Sequence, residues 1–154
     1  MIPSADISLI FSAIDQALVT SLEADPVFDE NPSPGKTVAI TDPSEWQRIA
    51  NDQVMIRGSL WIVYGASSYL DARNRGLILS TLMTRVERDI RKGLKDYLPN
   101  YMQGTGLLFN QFQEGNFNGW GLELSANLNN AKQEAAWFVQ IRPPFELVLN
   151  DNLF

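Results

Sequence analysis

The chain has 154 residues with 45% hydrophobic and 10% aromatic side chains, values that suit one globular domain with a single core and exclude a disordered chain. Its formal charge of −6 argues against general affinity for nucleic acid or acidic lipid, and no apolar run reaches the length needed to cross a bilayer. Histidine and cysteine are both absent, which removes the usual neutral-pH base, the strongest nucleophile, the soft metal ligands and every disulfide.

In chain order, the first fifteen residues lack a basic start and carry Asp6, so no secretory signal is expected there. Ser4 to Leu22 predicts an amphipathic helix. Ile7, Ile10, Phe11, Ile14, Leu18 and Leu22 recur at three- and four-residue steps along one stripe, and Ser4 and Asp6 suit the N-terminal turn. Ala24 to Lys36 follows with Pro26, Pro32, Pro34 and Gly35 among Asp25, Asp29 and Glu30. Prolines fix φ and remove donors, so residues 24–36 read as an exposed Pro-rich acidic arm. Thr37 to Thr41 is a short β-prone run. Asp42-Pro43-Ser44-Glu45 then carries a helix-start signature, an N-cap Asp, a Pro at the first helical position and a Glu three residues on. It predicts one or two helical turns ending near Asn51.

Val54 to Tyr64 is the clearest strand. Val54, Ile56, Leu60, Ile62 and Tyr64 fall on one face with Gly58, and Met55, Arg57, Ser59, Trp61 and Val63 on the other. Its second half is apolar on both faces, so that end is expected to be covered on both sides. Ser67 to Leu98 predicts one long helix, or two broken near Gly76, with Leu79, Leu82, Val86, Ile90, Leu94 and Tyr97 buried and Pro99 at its end. Leu107 to Gln113 is a further strand run. Trp120, Leu122, Leu124, Ala126 and Leu128 alternate, as do Ala135, Trp137, Val139 and Ile141, and these two segments are expected to pair as an antiparallel hairpin. Pro143-Pro144 breaks the second of them. Residues 145–154, dense in apolar side chains, read as an edge strand or a C-terminal docking tail. The whole predicts a single α+β domain over 1–154, an antiparallel or mixed sheet of about five to six strands packed against two main helices.

No constellation carries convincing catalysis. Gly35-Lys36-Thr37 resembles the end of a phosphate-binding loop, but Glu30 stands where the earlier glycine belongs and a strand follows instead of a helix. Gly104-Thr105-Gly106 is too short for a dinucleotide fingerprint. Asp25, Asp29, Glu30 and Asn31 match no calcium-loop spacing, and nothing in the sequence brings Glu114, Glu123, Glu134 and Glu146 together as paired acids. The chain is therefore read as no enzyme, with no cofactor and no metal site.

Seven of the twelve Lys and Arg lie in the second helical segment, where Arg85, Arg88, Lys92 and Lys95 share one stripe opposite the apolar one. That stripe is either an ordinary solvated face or a docking surface for acidic groups, most simply the acidic arm of a neighbouring copy. Nucleic acid suits it less, because no aromatics interleave to stack bases. Trp46, Trp61, Trp120 and Trp137 are expected core anchors, with Trp61 also placed to meet another subunit. The expected interface residues are Asp25, Asp29, Glu30, Trp61, Arg85, Arg88, Lys92, Lys95, Phe145, Leu149 and Phe154.

The order of elements resembles the tail-terminator (tail-completion) proteins of long-tailed bacteriophages. The likeness is carried by Val27-Phe28-Asp29 after the first helix, the strand from Val54 to Tyr64, the helix from Leu77 to Leu98 and the closing hairpin. Neck and head-completion proteins share this layout. The resemblance implies a structural virion protein without catalysis, a homo-oligomeric and in that family hexameric ring at the head-proximal end of the tail. Its implied partners are the tail tube and the neck or connector proteins, with DNA only as passing cargo and no membrane, and its implied place is the virion, assembled in the host cytoplasm. The alternative reading is a monomeric module that holds a small apolar ligand between sheet and long helix.

Overall fold

The first helix, α1 (Ser4–Leu22), forms where the apolar stripe predicts it, and a computed structural model that describes residues 4–50, 53–97, 107–108, 123–127 and 135–150 shows why it ends there. Ile10, Ile14, Leu18 and Leu22 are buried along one side. Glu23 then turns to φ 52°, and the Ala24 N–H reaches back to the Val19 carbonyl at 3.0 Å. A six-to-one bond across a left-handed residue is the Schellman close, here with Glu where Gly is usual.

Strands β1 (Thr37–Ala50) and β2 (Gln53–Ala66) form one long antiparallel hairpin. The helix expected over 42–51 is absent, because β1 runs on through it. The Asp-Pro-Ser-Glu run serves a strand instead: Asp42 meets Arg142, Glu45 meets Arg57, and the Ser44 hydroxyl donates to the Arg57 carbonyl at the bulge between Pro43 and Glu45. Proline is tolerated in an edge strand beside a bulge, and a local capping signal yields when a full cross-strand ladder competes with it.

The long helical segment is two helices, α2 (Tyr69–Thr81) and α3 (Met83–Tyr97), so three helices rather than two stand among the described residues. The break falls at Leu82 and not near Gly76, which stays buried inside α2. The Ser80 hydroxyl donates to the Gly76 carbonyl and the Thr81 hydroxyl to the Ile78 carbonyl. Hydroxyls that bond back onto the preceding turn bend a helix, and here two do so in succession. Leu79, Met83, Val86 and Ile90 are buried across the joint, Met83 unforeseen among them.

After β3 (Leu107–Leu108) and β4 (Glu123–Ala126) come β5 (Trp137–Ile141) and β6 (Pro144–Asn150). All pairings are antiparallel, with β3-β6-β2-β5-β4 in order and β1 on the opposite edge of β2. The expected β4–β5 hairpin pairing is present. Strands β5 and β6 keep one register on β2, as Ile62↔Ile141 and Ser59↔Pro144 show, and the Leu60 N–H donates to the Pro143 carbonyl between them. The double proline interrupts a strand without ending it. The stretch expected as an edge strand or docking tail therefore begins as an inner strand: β6 lies between β3 and β2, Phe145 and Leu147 are core residues, and residues 151–154 lie outside the described residues.

The helices cover one face of the sheet. Val54, Ile56, Leu60, Ile62, Val139, Ile141 and Phe145 meet α1, α2 and α3 residues in one cluster. The Asp15 carboxylate accepts from the Thr41 N–H and hydroxyl at 2.7 and 2.6 Å, tying α1 to β1, and the Ser21 hydroxyl donates to Asp89 at 2.7 Å, tying α1 to α3.

Candidate interaction surfaces

The second sheet face is built differently at its two ends. At the β2 C-terminal end the Pro-rich arm, residues 24–36, is laid across it. The Asp25 N–H bonds the Thr37 carbonyl at one root, and the Gly65 N–H bonds the Lys36 carbonyl at the other. Between them Phe28 stacks on Trp61 with ring centres 4.9 Å apart, and Pro32 is buried. Gly65 makes the close approach feasible, since a Cβ there would stand 2.3 Å from the Pro32 carbonyl oxygen. Val38 and Val63, on this same face, are buried. The expectation that this end of the strand is covered on both sides holds, and the cover comes from the chain itself.

Trp61 is accordingly held within the protomer. The Arg142 guanidinium lies 4.5 Å over its ring and is paired in turn with Asp42 at 2.5 Å. The indole N–H is buried without a hydrogen-bond partner. Further along, Arg57 binds Glu146 at 3.0 Å and Glu45 at 3.6 Å, an exposed cross-strand ladder of modest worth.

At the other end the hairpin tip is bare. Every residue from 43 to 50 is exposed, while Val54, Met55 and Ile56 opposite them are buried. Trp46, expected in the core, is 40% exposed, and Ile49 is 46% exposed. Apart from the bridge from Asp25 to Val38, the far edge of β1 has no strand partner among the described residues. Phe11, Pro43, Trp46 and Ile56 line an open, mostly apolar hollow of about 320 Å³ between α1 and the tip, close in sequence to the exposed Leu9. The outer side of α2 also shows Leu70, Leu77 and Ile78. Sequence reasoning missed these surfaces because Trp46 and Ile49, three apart, fit a helical stripe as well as a strand tip.

The predicted charged residues fall in two separate clusters, one on the Pro-rich arm and one on α3. Asp25, Asp29 and Glu30 sit exposed on the Pro-rich arm, whose Asp25 and Asp29 carboxylates accept only from the Val27 and Asn31 N–H groups of their own turns. Arg85, Arg88 and Lys92 face outward from α3, beyond α1 and the sheet. Asp89 is shared by Arg85 at 3.8 Å and Arg88 at 3.6 Å. Lys95 lies in α3 and Leu149 in β6 opposite Val54, their side chains outside the described set. Phe145, foreseen at an interface, is 2% exposed and packs in its own core over Gly58, so that expectation is corrected. Phe154, Trp120, Glu114, Glu134 and residues 104–106 lie outside the described residues.

A polar cavity of about 330 Å³ at the root of the Pro-rich arm is lined by Glu23, Asp25, Lys36 and Arg75, whose charges balance. Beside it the Tyr64 hydroxyl donates to Asp71 at 3.2 Å, and Asp71 also gives its N–H to the Ser68 cap of α2. Burial, and then the Asp71 carboxylate, push the Tyr64 phenol above its ordinary value of 10.0. No group of three or more Asp or Glu side chains placed to hold a metal occurs among the described residues. Comparison with protein-family models, with curated proteins and with solved structures returned no match.

Proposed function

We propose that this chain is a structural subunit that assembles with its own copies into a ring, in the role of a tail terminator at the head-proximal end of a phage tail. The observation that carries the reading is the hairpin tip, an edge strand exposed over residues 43–50 that presents Trp46 and Ile49 to solvent. Exposed aromatic and aliphatic groups on an open strand edge favour burial against another chain. The order of elements in the sequence, with its resemblance to that family, supports the same reading. The subunit then works by contacts with its neighbours, with the tail tube and with neck or connector proteins, holds no cofactor, catalyses nothing, and lets DNA pass as cargo. Its place is the virion, after assembly in the host cytoplasm.

Sedimentation velocity and negative-stain imaging test this directly. Discrete rings, lost in the Trp46→Ala/Ile49→Ala double variant with the fold intact, are the expected result. A wild-type chain that stays monomeric up to its solubility limit, alone and with tail tubes, overturns the reading. The open hollow beside Phe11 and Trp46 favours one second reading, a monomeric module for a small apolar ligand. An apolar compound that raises the melting temperature of a strict monomer supports it.

A further inference from the structure

The Pro-rich arm carries three carboxylates within six residues, Asp25, Asp29 and Glu30, and none forms an ion pair with a described cation. Val27 between them is 73% exposed, because Phe28 beside it turns inward onto Trp61. On α3 the balance is reversed. Arg85, Arg88 and Lys92 line the outer side, Arg88 with its side chain 74% exposed, and Asp89, the carboxylate among them whose side chain is described, is divided between two arginines and the Ser21 hydroxyl. Lys92 has no ion-pair partner among the described residues. The arm crosses one face of the sheet at Trp61 and α3 packs on the other, and among the described residues no ion pair joins the two surfaces within one protomer.

We infer that the acidic overhang of the Pro-rich arm docks on the basic outer side of α3 in a second copy of this chain. Arg85 to Lys92 spans about 10 Å of helix, which lies within the ~17 Å that residues 25 to 30 cover at full extension. Two different surfaces make the contact head to tail, which closes into a ring when the rotation between copies permits. This inference rests on the ring reading and adds a second contact between its subunits besides the hairpin tip. Opposite-charge patches of this kind set partner orientation and encounter rate, and salt weakens them.

The test reverses each surface and then both. Asp29→Lys/Glu30→Lys and Arg88→Glu/Lys92→Glu are each expected to weaken self-association about tenfold at low salt. The chain carrying all four changes is expected to recover most of it, and the wild type to weaken as salt rises. The neutral Asp29→Asn/Glu30→Gln pair, which spares the turn at Asn31, guards against a reversal that disturbs folding, and circular dichroism checks each chain. Reversed chains that assemble as well as the wild type overturn this contact and leave the ring standing. Failure of the four-change chain to recover overturns it too. A wild type that never assembles sinks the contact and the ring together.

Discussion

The two ends of the β1–β2 hairpin share one ladder and differ in everything around it. At the base, Thr37, Val38 and Ala39 are buried, with helices on one side and, on the other, the Pro-rich arm over Trp61 and Gly65. At the tip, β2 keeps its buried Val54 and Ile56 because β6 continues beside it, while β1 across the ladder is exposed on both faces. One ladder joins both ends, broken by bulges only toward the tip, and cover separates a core element from a surface for assembly. An edge strand without cover is a liability that proteins blunt, and Pro43, the bulges and Glu45 do so here, which leaves side chains rather than open backbone as the means of contact.

Five substitutions sharpen or break this contrast. Ile62→Ala at the base is expected to lower stability by about 2–5 kcal/mol in denaturant unfolding, since a buried side chain leaves a cavity. Ile49→Ala at the tip should stay within about 0.5 kcal/mol, and a large loss there means the tip is covered in solution by its own chain. Gly65→Ala forces a methyl against the Pro32 and Ser33 carbonyls and should cost about 2 kcal/mol. It should also shift tryptophan emission as Phe28 leaves Trp61. An unchanged spectrum breaks the claim that Gly65 seats the arm.

Glu23→Gly relieves a left-handed side-chain residue at the close of α1 and is expected to stabilise by about 1 kcal/mol, raising the melting midpoint by a few degrees. The smallest effect concerns pH. The Tyr64 phenol is raised in the folded chain, so its contribution is complete below the ordinary value of 10.0 and is lost as pH climbs through the higher folded value. Alkaline unfolding of Tyr64→Phe, followed by circular dichroism, should therefore depend less on pH in that window.

Much of this was legible because local patterns and tertiary neighbours agreed. The stripe from Ile10 to Leu22 set α1, the alternation from Val54 to Tyr64 set β2 and its two faces, and the run of helical and strand patterns set the α+β class. The charged candidates were legible as stripes and runs, whereas the sheet face that the arm crosses was not, because sequence spacing says nothing of which face a loop covers.

Where local and long-range preferences disagreed, tertiary structure decided. Residues 42–45 hold a sound helix cap, yet pairing with β2 and charges from Arg57 and Arg142 made them strand. Pro143-Pro144 signals a stop, yet an unbroken register on β2 carried the chain through and put Phe145 in the core. Trp46 and Trp61 are the same residue type in one hairpin, and only the path of the Pro-rich arm leaves one in solvent and stacks the other against Phe28. Periodicity is a property of neighbours along the chain, whereas cover comes from segments brought up by folding, and that is why the sequence alone could specify the elements but not their exposure.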